Sequence, residues 1–406
     1  MPTAVSGKVC VVGLGYVGLP TAAVLASRGY DVHGVDVNPK AVETINSGKA
    51  HIVEPDLDLL VRAAVQTGKL RAFTAPTKAD VFMVCVPTPF KGSHEPDLSY
   101  VEAATRLICP FLEPGNLVVL ESTSPPGTTE MMAEIVAQET RLTPDDVHFA
   151  HAPERVLPGK VLREIVENDR IIGGINEAST KACVDFYATF VSGEIHTTNA
   201  RTAETAKLVE NAYRDVNIAF ANELSLLADE LGLDVWELIR LANRHPRVNI
   251  LSPGCGVGGH CIAVDPWFLV HAAPTATRLI RTGREVNDHK PEWVVDRVKR
   301  KAARFKRPKI ACLGLAYKPD IDDLRESPAV HIVERLLADK ALDADIAVVE
   351  PYVARHPEFS LVPLDKALAD ADIVLVLCAH KQFKKISPAL LAEKILIDTC
   401  GALRPH

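Results

Sequence analysis

The 406-residue sequence predicts an α/β protein with two parallel-sheet domains joined by a long central helix and a helical connector. Three observations carry that expectation. Short β-branched runs alternate with helical stretches over the first half of the chain. A helical pattern without a break then extends for about 30 residues, roughly 45 Å at 1.5 Å per residue. Strand–helix alternation resumes after the basic stretch KRPK at 306–309. The boundaries read as 1–200 for the first sheet domain, 201–305 for the central helical part and 306–406 for the second sheet domain.

Taken in order, KVCVVGLG (8–15), YDVHGVDV (30–37), ADVFMVCVP (79–87), NLVVLES (116–122) and RIIGG (170–174) read as buried strands. Helical segments between them predict parallel pairing through right-handed crossovers. TAETAKLVENAYRDVNIAFANELSLLADELG (202–232) is the long helix, with Gly232 placed to end it. VWELIRLANRH continues helical, and PEWVVDRVKRKAARF (291–305) is a second amphipathic helix closed by basic residues. IACLGLAY (310–317), DADIAVVEPY (343–352), ADIVLVLCAH (371–380) and KILIDTC (394–400) form the second parallel sheet, which repeats the plan of the first without repeating its sequence.

Composition narrows the function. A net charge of −7 argues against nucleic acid or a membrane surface as the main partner. No apolar run approaches the ~20 residues needed to cross a bilayer, and no basic-then-apolar leader opens the chain, so a cytoplasmic protein is expected. The nine cysteines are scattered singly, and Cys10, Cys85, Cys312 and Cys378 lie in apolar runs where cysteine packs as a small hydrophobe. No spacing matches a zinc site, and no metal is expected.

The first strand runs directly into Gly13-Leu-Gly15-Tyr16-Val17-Gly18, a G-x-G-x-x-G before a helix. Gly13 permits the tight turn, Gly15 lets backbone N–H groups approach a pyrophosphate, and Gly18 allows close helix–strand packing. The next strand ends in Asp36, where a carboxylate accepts hydrogen bonds from an adenosine ribose and repels a 2′-phosphate. Motif, context and Asp36 together point to a Rossmann-like domain that binds NAD rather than NADP. The loops CVPTP (85–89) and ESTSPPGTT (121–129) should line the same crevice, with Thr88, Ser122 and Thr123 facing nicotinamide, ribose or substrate; simple turn chemistry is the plainer reading of each.

Four separate segments carry the reactive candidates. GCGVGGHCIAVDP (254–266) mounts Cys261 after paired glycines, with Asp265 four residues on. A buried cysteine and a helix N-cap followed by proline account for the same letters. Glu154 sits between Pro153 and Arg155 in a loop after a strand, where a solvated glutamate is the alternative. Lys207, Asn211 and Arg214 fall at i, i+4 and i+7 of the long helix as one polar stripe, which by spacing alone reads as solvent-facing. GLAYKPDIDDLRESP (314–328) puts Lys318 and Arg325 beside the end of the second sheet's first strand, suited to a phosphate or to salt bridges with Asp320, Asp322 and Asp323.

These segments resemble the nucleotide-sugar 6-dehydrogenase family. The resemblance runs in order through GLGYVGLP, VPTP, STSPPGTT, PERVLPG, KLVENAYRDVNIAFANEL, GVGGHCIAVDP and GLAYKPDIDDLRESP, covering nearly the whole chain. GGHCIAVDPWF and NRHPRVNI are similar to the branch acting on UDP-N-acetyl-D-mannosamine, whereas the glucose-type branch carries a Ser-Cys-Phe-Pro-Lys-Asp loop. Ala263-Val264 stands where relatives acting on UDP-N-acetylglucosamine have Pro-Ile. Pro126 and Cys255 depart from the family's usual valine and proline.

The resemblance implies a four-electron oxidation of a sugar C6 alcohol to a carboxylate with two NAD per cycle. Cys261 would capture the aldehyde as a thiohemiacetal and then hold a thioester. Lys207 would stabilise the oxyanions and Asn211 help hold that oxygen. Asp265 would orient a water and help remove the alcohol proton, and Glu154 would act as base in thioester hydrolysis. Lys318 and Arg325 would hold the UDP end; Arg155, Arg214 and His260 are further substrate contacts, and Arg244 and Arg247 candidates for donation to a partner subunit. A homodimer built on the long helix is expected. UDP-N-acetylglucosamine and UDP-glucose are the alternative substrates. A two-electron β-hydroxyacid-type dehydrogenase and a catalytically silent NAD-binding protein are the alternative classes.

Overall fold

The five β-branched runs of the first part of the chain all become inner strands of one sheet. The computed structural model describes residues 7–92, 94–157, 159–259 and 261–404, so His260 lies outside the described residues. The first part of the chain runs β1 (Lys8–Val12), α1 (Gly18–Ser27), β2 (Asp31–Val35), α2 (Pro39–Asn46), α3 (Leu57–Gln66), β3 (Leu70–Phe73) and β4 (Val81–Val84). A hairpin of β5 (Phe90–Lys91) and β6 (Glu95–Pro96) follows, then α4 (Ser99–Ile108), β7 (Leu117–Leu120), α5 (Thr128–Glu139), β8 (His148–His151), α6 (Val161–Glu167), β9 (Arg170–Gly174), α7 (Glu177–Tyr187) and β10 (Ile195–Asn199).

The eight sheet strands lie in the order β10-β9-β8-β7-β4-β1-β2-β3. The chain winds outward from β1 to β3, then returns to β4 on the other side, so the strand order reverses between β1 and β4. In open parallel sheets a ligand crevice lies outside the strands' carboxyl ends at that reversal. Alternation along β1 divides the core. Val9 and Val11 pack with Leu19 of α1, Val61 of α3 and Tyr187 of α7, while Cys10 and Val12 pack with Val101 of α4 and Met132 of α5.

One pairing differs from expectation. β9 occupies the predicted RIIGG but lies antiparallel to β8, and β10 is parallel to β9. The β8–β9 connection is spent on a loop and the seven-residue α6 at the strands' carboxyl end. The chain therefore re-enters the sheet from that end, with no crossover to carry it back.

The second part runs α8 (Ala200–Leu231), α9 (Val235–Ala242), α10 (Asp265–Ala272), α11 (Arg278–Ala302), β11 (Lys309–Leu313), α12 (Pro328–Ala338), β12 (Asp345–Val349), α13 (Leu364–Asp370), β13 (Ile373–Val376) and β14 (Ile395–Asp398). Its sheet is parallel throughout, in the order β12-β11-β13-β14. The described chain forms two compact units, residues 1–210 with 267–272 and residues 211–266 with 273–406. No helix among the described residues is long and apolar enough to cross a membrane.

α8 stops where Gly232 takes φ +69, a left-handed conformation that releases the chain. The Asp234 side chain then accepts the Trp236 and Glu237 N–H groups and starts α9. α11 corrects the expected helix at 291–305: it begins 13 residues earlier, at Arg278, and contains Pro291. Proline removes one N–H bond in a helix, but Gly283, Arg284, Asn287, Lys290, Val294 and Val298 give α11 a continuous buried side that outweighs the loss. Along that side Arg284 pairs with buried Asp215 of α8, and Asn287 donates to the same carboxylate at 2.8 Å.

The two sheets reuse one turn. Gly13 after β1 has φ +92 and donates to Val35 O at 2.8 Å; Gly314 after β11 has φ +93 and donates to Val349 O at 2.8 Å. Asp36 accepts the Leu14 N–H at 3.0 Å, and Glu350 accepts the Leu315 N–H at 2.7 Å. The shared letters are a Gly-Leu-x-Tyr at 13–16 and 314–317 with one carboxylate after the following strand, Asp36 and Glu350, too short a stretch to register as a sequence repeat.

Candidate active site

The glycine-rich turn has the shape expected of a dinucleotide cradle. A Cβ on Gly13 would lie 2.6 Å from Cys85 O, and one on Gly18 would lie 1.8 Å from Gly13 O, so both must be glycine for packing reasons. A Cβ on Gly15 would meet nothing within 4 Å, which leaves its face open toward a ligand. Asp36 closes the turn, accepting from Leu14 N and, at 2.9 Å, from Asn38 N. Tyr16 is exposed beside it and Val17 precedes α1. An open glycine face, a helix N-terminus and a carboxylate at the end of β2 fit NAD.

Two further loops are tied together beside it. Thr88 Oγ1 donates to Thr123 O at 2.6 Å, and Ser122 Oγ donates to Val86 O at 2.7 Å. Glu204 of α8 fixes the second loop from behind, accepting Gly127 N–H at 2.6 Å and Thr129 N–H at 2.8 Å. That carboxylate occupies the N-terminus of α5, where free N–H groups and the helix dipole favour negative charge.

The polar stripe of α8 is not solvent-facing where it matters. Lys207 and Asn211, one turn apart, are buried, and Glu204 and Asp215 extend the same buried row. Arg214 leaves that row and is exposed. Asn211 Nδ2 donates to Asp265 Oδ2 at 2.6 Å, and Asp265 is buried at the first residue of α10. Asp265 and Val264 donate their N–H groups to Cys261 O at 2.9 and 3.1 Å, which locks the cysteine to the helix start.

The short side chains of residues 254–259 now have a cause. A Cβ on Gly258 would fall 2.4 Å from Glu326 O and 2.8 Å from Tyr317 Cβ; one on Gly259, at φ +82, would meet the Tyr317 ring at 3.0 Å. The loop is pressed against 317–328, and Gly259 N–H donates to Arg325 O at 3.3 Å. Gly254 N–H is held by Asn222 Oδ1 at 2.8 Å, and Cys255 is buried with its thiol 3.4 Å from Leu377 O. Cys261 alone among the nine cysteines is exposed, so the buried-cysteine reading fails for it.

Glu154 is not a solvated glutamate either. It is buried, pairs with Arg170 at 2.6 Å and accepts the Arg155 N–H at 2.7 Å. The Arg155 side chain pairs with Glu210 at 2.6 Å and donates to Asp169 O. Arg325 pairs at 2.6 Å with Asp323, two residues before it in the same segment, and Lys318 is exposed there. Arg244 and Arg247 are exposed in the segment after α9.

Four functional-looking groups had no signal in the sequence. His151 ends β8 fully buried, with its ring beside the Leu120 backbone. Burial first, and then the nearby Lys207 ammonium, push its imidazole down to about 3, so it is neutral. Glu121, Arg170 and Tyr187 form a buried cluster around Glu154. Glu121 follows β7, Arg170 opens β9 and Tyr187 ends α7, and only the sheet order brings them together.

The chain matches the UDP-glucose/GDP-mannose dehydrogenase family along its length: the NAD binding domain over residues 7–191, the central domain over 201–289 and the UDP binding domain over 311–405. It is 57% identical over 405 residues to an NDP-N-acetyl-D-galactosaminuronic acid dehydrogenase of Ralstonia nicotianae, covering 97% of this chain and 95% of the relative. It is 56% identical over 395 residues to the UDP-N-acetyl-D-mannosamine dehydrogenase of Campylobacter jejuni, covering 93% of this chain and 97% of the relative. The solved UDP-D-ManNAc dehydrogenase of Pyrococcus horikoshii superposes with a TM-score of 0.88 at 42% identity, covering 98% of this chain and 96% of that one.

Proposed function

Because the chain belongs to the UDP-glucose/GDP-mannose dehydrogenase family, we propose that it oxidises the C6 alcohol of UDP-N-acetyl-D-mannosamine to the uronate, with two NAD consumed per sugar. The observation that carries the covalent part of this reading is the exposed Cys261, fixed by its carbonyl to Asp265, which in turn holds Asn211.

Gly13, Gly15, Gly18 and Asp36 would hold NAD, which would supply a hydride acceptor for each of the two oxidations. The chain's own residues do the rest. Asp265 orients a water and helps remove the alcohol proton, and Asn211 helps hold the alcohol oxygen. Lys207 stabilises the alkoxide and later the thiohemiacetal oxygen. Cys261 adds to the aldehyde carbon, so the half-oxidised sugar stays bound, and then carries the thioester. Glu154 takes a proton from the water that cleaves it. Lys318 and Arg325 hold the diphosphate, with Arg155, Arg214, Arg244, Arg247 and His260 as further substrate contacts. The functional division follows 1–200 for cofactor, 201–305 for catalysis and dimerisation, and 306–406 for the UDP end. A cytoplasmic homodimer is part of the same proposal.

The relative named for galactosaminuronic acid supports a second reading, in which the sugar differs at C2 and C4. Rates on UDP-N-acetyl-D-mannosamine, UDP-N-acetyl-D-galactosamine, UDP-N-acetylglucosamine and UDP-glucose separate them. The proposal expects kcat/KM highest for the first and two NADH per sugar. A preference for the galactosamine sugar supports the second reading, and one NADH per sugar supports a two-electron dehydrogenase.

A further inference from the structure

Glu154, as the base of thioester hydrolysis, faces a difficulty that its surroundings resolve. It is paired at 2.6 Å with Arg170, and both side chains are 2% exposed. When such a carboxylate takes a proton, its arginine is left buried without a counter-charge, which disfavours the transfer. A second carboxylate stands in the same cluster. Glu121, one residue past β7, is 3% exposed and accepts the Tyr187 hydroxyl at 2.7 Å, the Cys85 thiol at 3.3 Å and the Thr21 hydroxyl at 3.4 Å. The Arg170 guanidinium lies 5.8 Å from the centroid of the ring of Tyr187, the residue whose hydroxyl donates to Glu121.

We infer that Glu121, acting through Arg170, is a positioning residue that supplies the guanidinium's counter-charge whenever Glu154 carries a proton. The inference rests on the reading of Glu154 as that base. Water adds to the thioester carbon and gives one proton to Glu154; the C–S bond breaks and Cys261 leaves as thiolate. The product acid ionises to solvent, and the proton on Glu154 follows when the cluster resets.

The charge count supports this exchange. One guanidinium, paired with Glu154 and acting on Glu121 through its charge alone, serves two carboxylates, so the buried cluster is one negative charge in excess when both are ionised. Burial first, and then the Glu154 charge, push Glu121 up to about 7, with Arg170 opposing. The other titratable groups facing Glu121 are Cys85 after β4 and Cys183 and Tyr187 on α7, all raised by burial and neutral. The exchangeable proton therefore belongs to the two glutamates.

The test uses the full-length enzyme with NAD and UDP-N-acetyl-D-mannosamine, rapid quench and mass analysis of the Cys261 peptide, from pH 5.5 to 9. Glu121→Gln should slow hydrolysis roughly tenfold or more at the pH plateau and load Cys261 with acyl group, within the range of general-base effects. Its acid limb should move to lower pH, because the titrating Glu121 carboxyl is gone. Tyr187→Phe removes a donor that favours ionised Glu121, so its limb should move to higher pH with the plateau retained. Wild-type limbs in both variants would overturn the inference, and if Glu121→Gln does not fold, Tyr187→Phe decides alone. Glu154→Gln keeps the two ideas apart. Acyl-enzyme in Glu154→Gln with unchanged limbs in the other variants sinks the role of Glu121 only, while undiminished hydrolysis in Glu154→Gln sinks the base itself.

Discussion

At the scale of single residues, the account turns on what surrounds each reactive atom. Asn211 donates to Asp265 at 2.6 Å and both are buried, so Asn211→Leu leaves a buried carboxylate without that donor. We expect kcat to fall by roughly tenfold or more while KM for NAD stays within about twofold, measured by steady-state kinetics. Unchanged kcat would remove Asp265 from the proton transfer. Gly258 makes a packing prediction. Its Cβ position lies 2.4 Å from Glu326 O, so Gly258→Ala must displace the cysteine loop or the 317–328 segment. A loss of roughly 1–3 kcal/mol in urea unfolding is expected, with reduced turnover. These contacts were hidden in the sequence, which placed glycines beside a thiol but not the chain pressed against them.

At the scale of elements, α8 and α11 show where periodicity informs and where it misleads. The apolar and polar repeat of α8 was legible almost to its ends, since Gly232 and Asp234 carry local stop and start chemistry. The start of α11 was not, because Pro291 reads as a first helical residue and only burial against α8 overrides it. Arg284 and Asp215 are both wholly buried at that junction. Removing the arginine by Arg284→Met leaves an unpaired buried carboxylate, a cost of roughly 3–5 kcal/mol visible as a lowered Tm. Lys290, also on α11, gives a pH dependence. It is buried over the Trp293 ring at 4.1 Å with Ser225 as hydrogen-bond partner, facing Cys255, Arg297 and Asp229. Burial lowers its ammonium from 10.5 to about 7. The folded state thus disfavours the charged form, and stability present above pH 10.5 is lost as pH falls toward 7. Lys290→Met escapes that loss, so its Tm relative to wild type should rise as pH is lowered over this window and level off below it. A Tm difference independent of pH would contradict the assignment.

At the scale of the whole molecule, the exposed side of α8 carries Val209, Tyr213, Phe220, Leu227 and Leu231, large apolar residues at spacings of four and seven. Such a row suits a second copy of the same helix. Phe220→Asp with Leu227→Asp should convert a dimer to a monomer in sedimentation velocity and lower turnover; an unchanged dimer would place the interface elsewhere. Fold class and family were legible because G-x-G-x-x-G, Asp36 and the cysteine loop are local words. The antiparallel β9 and the Glu121–Arg170–Glu154 cluster were not, because both depend on which strands become neighbours. The central claim is that Cys261 holds the half-oxidised sugar, and rapid-quench mass analysis of the wild-type Cys261 peptide tests it most directly. The account predicts a sugar-nucleotide adduct on that peptide during turnover with UDP-N-acetyl-D-mannosamine and NAD, absent in Cys261→Ser. Two NADH formed per sugar, with Cys261 never modified and Cys261→Ser turning over at the wild-type rate, would contradict it.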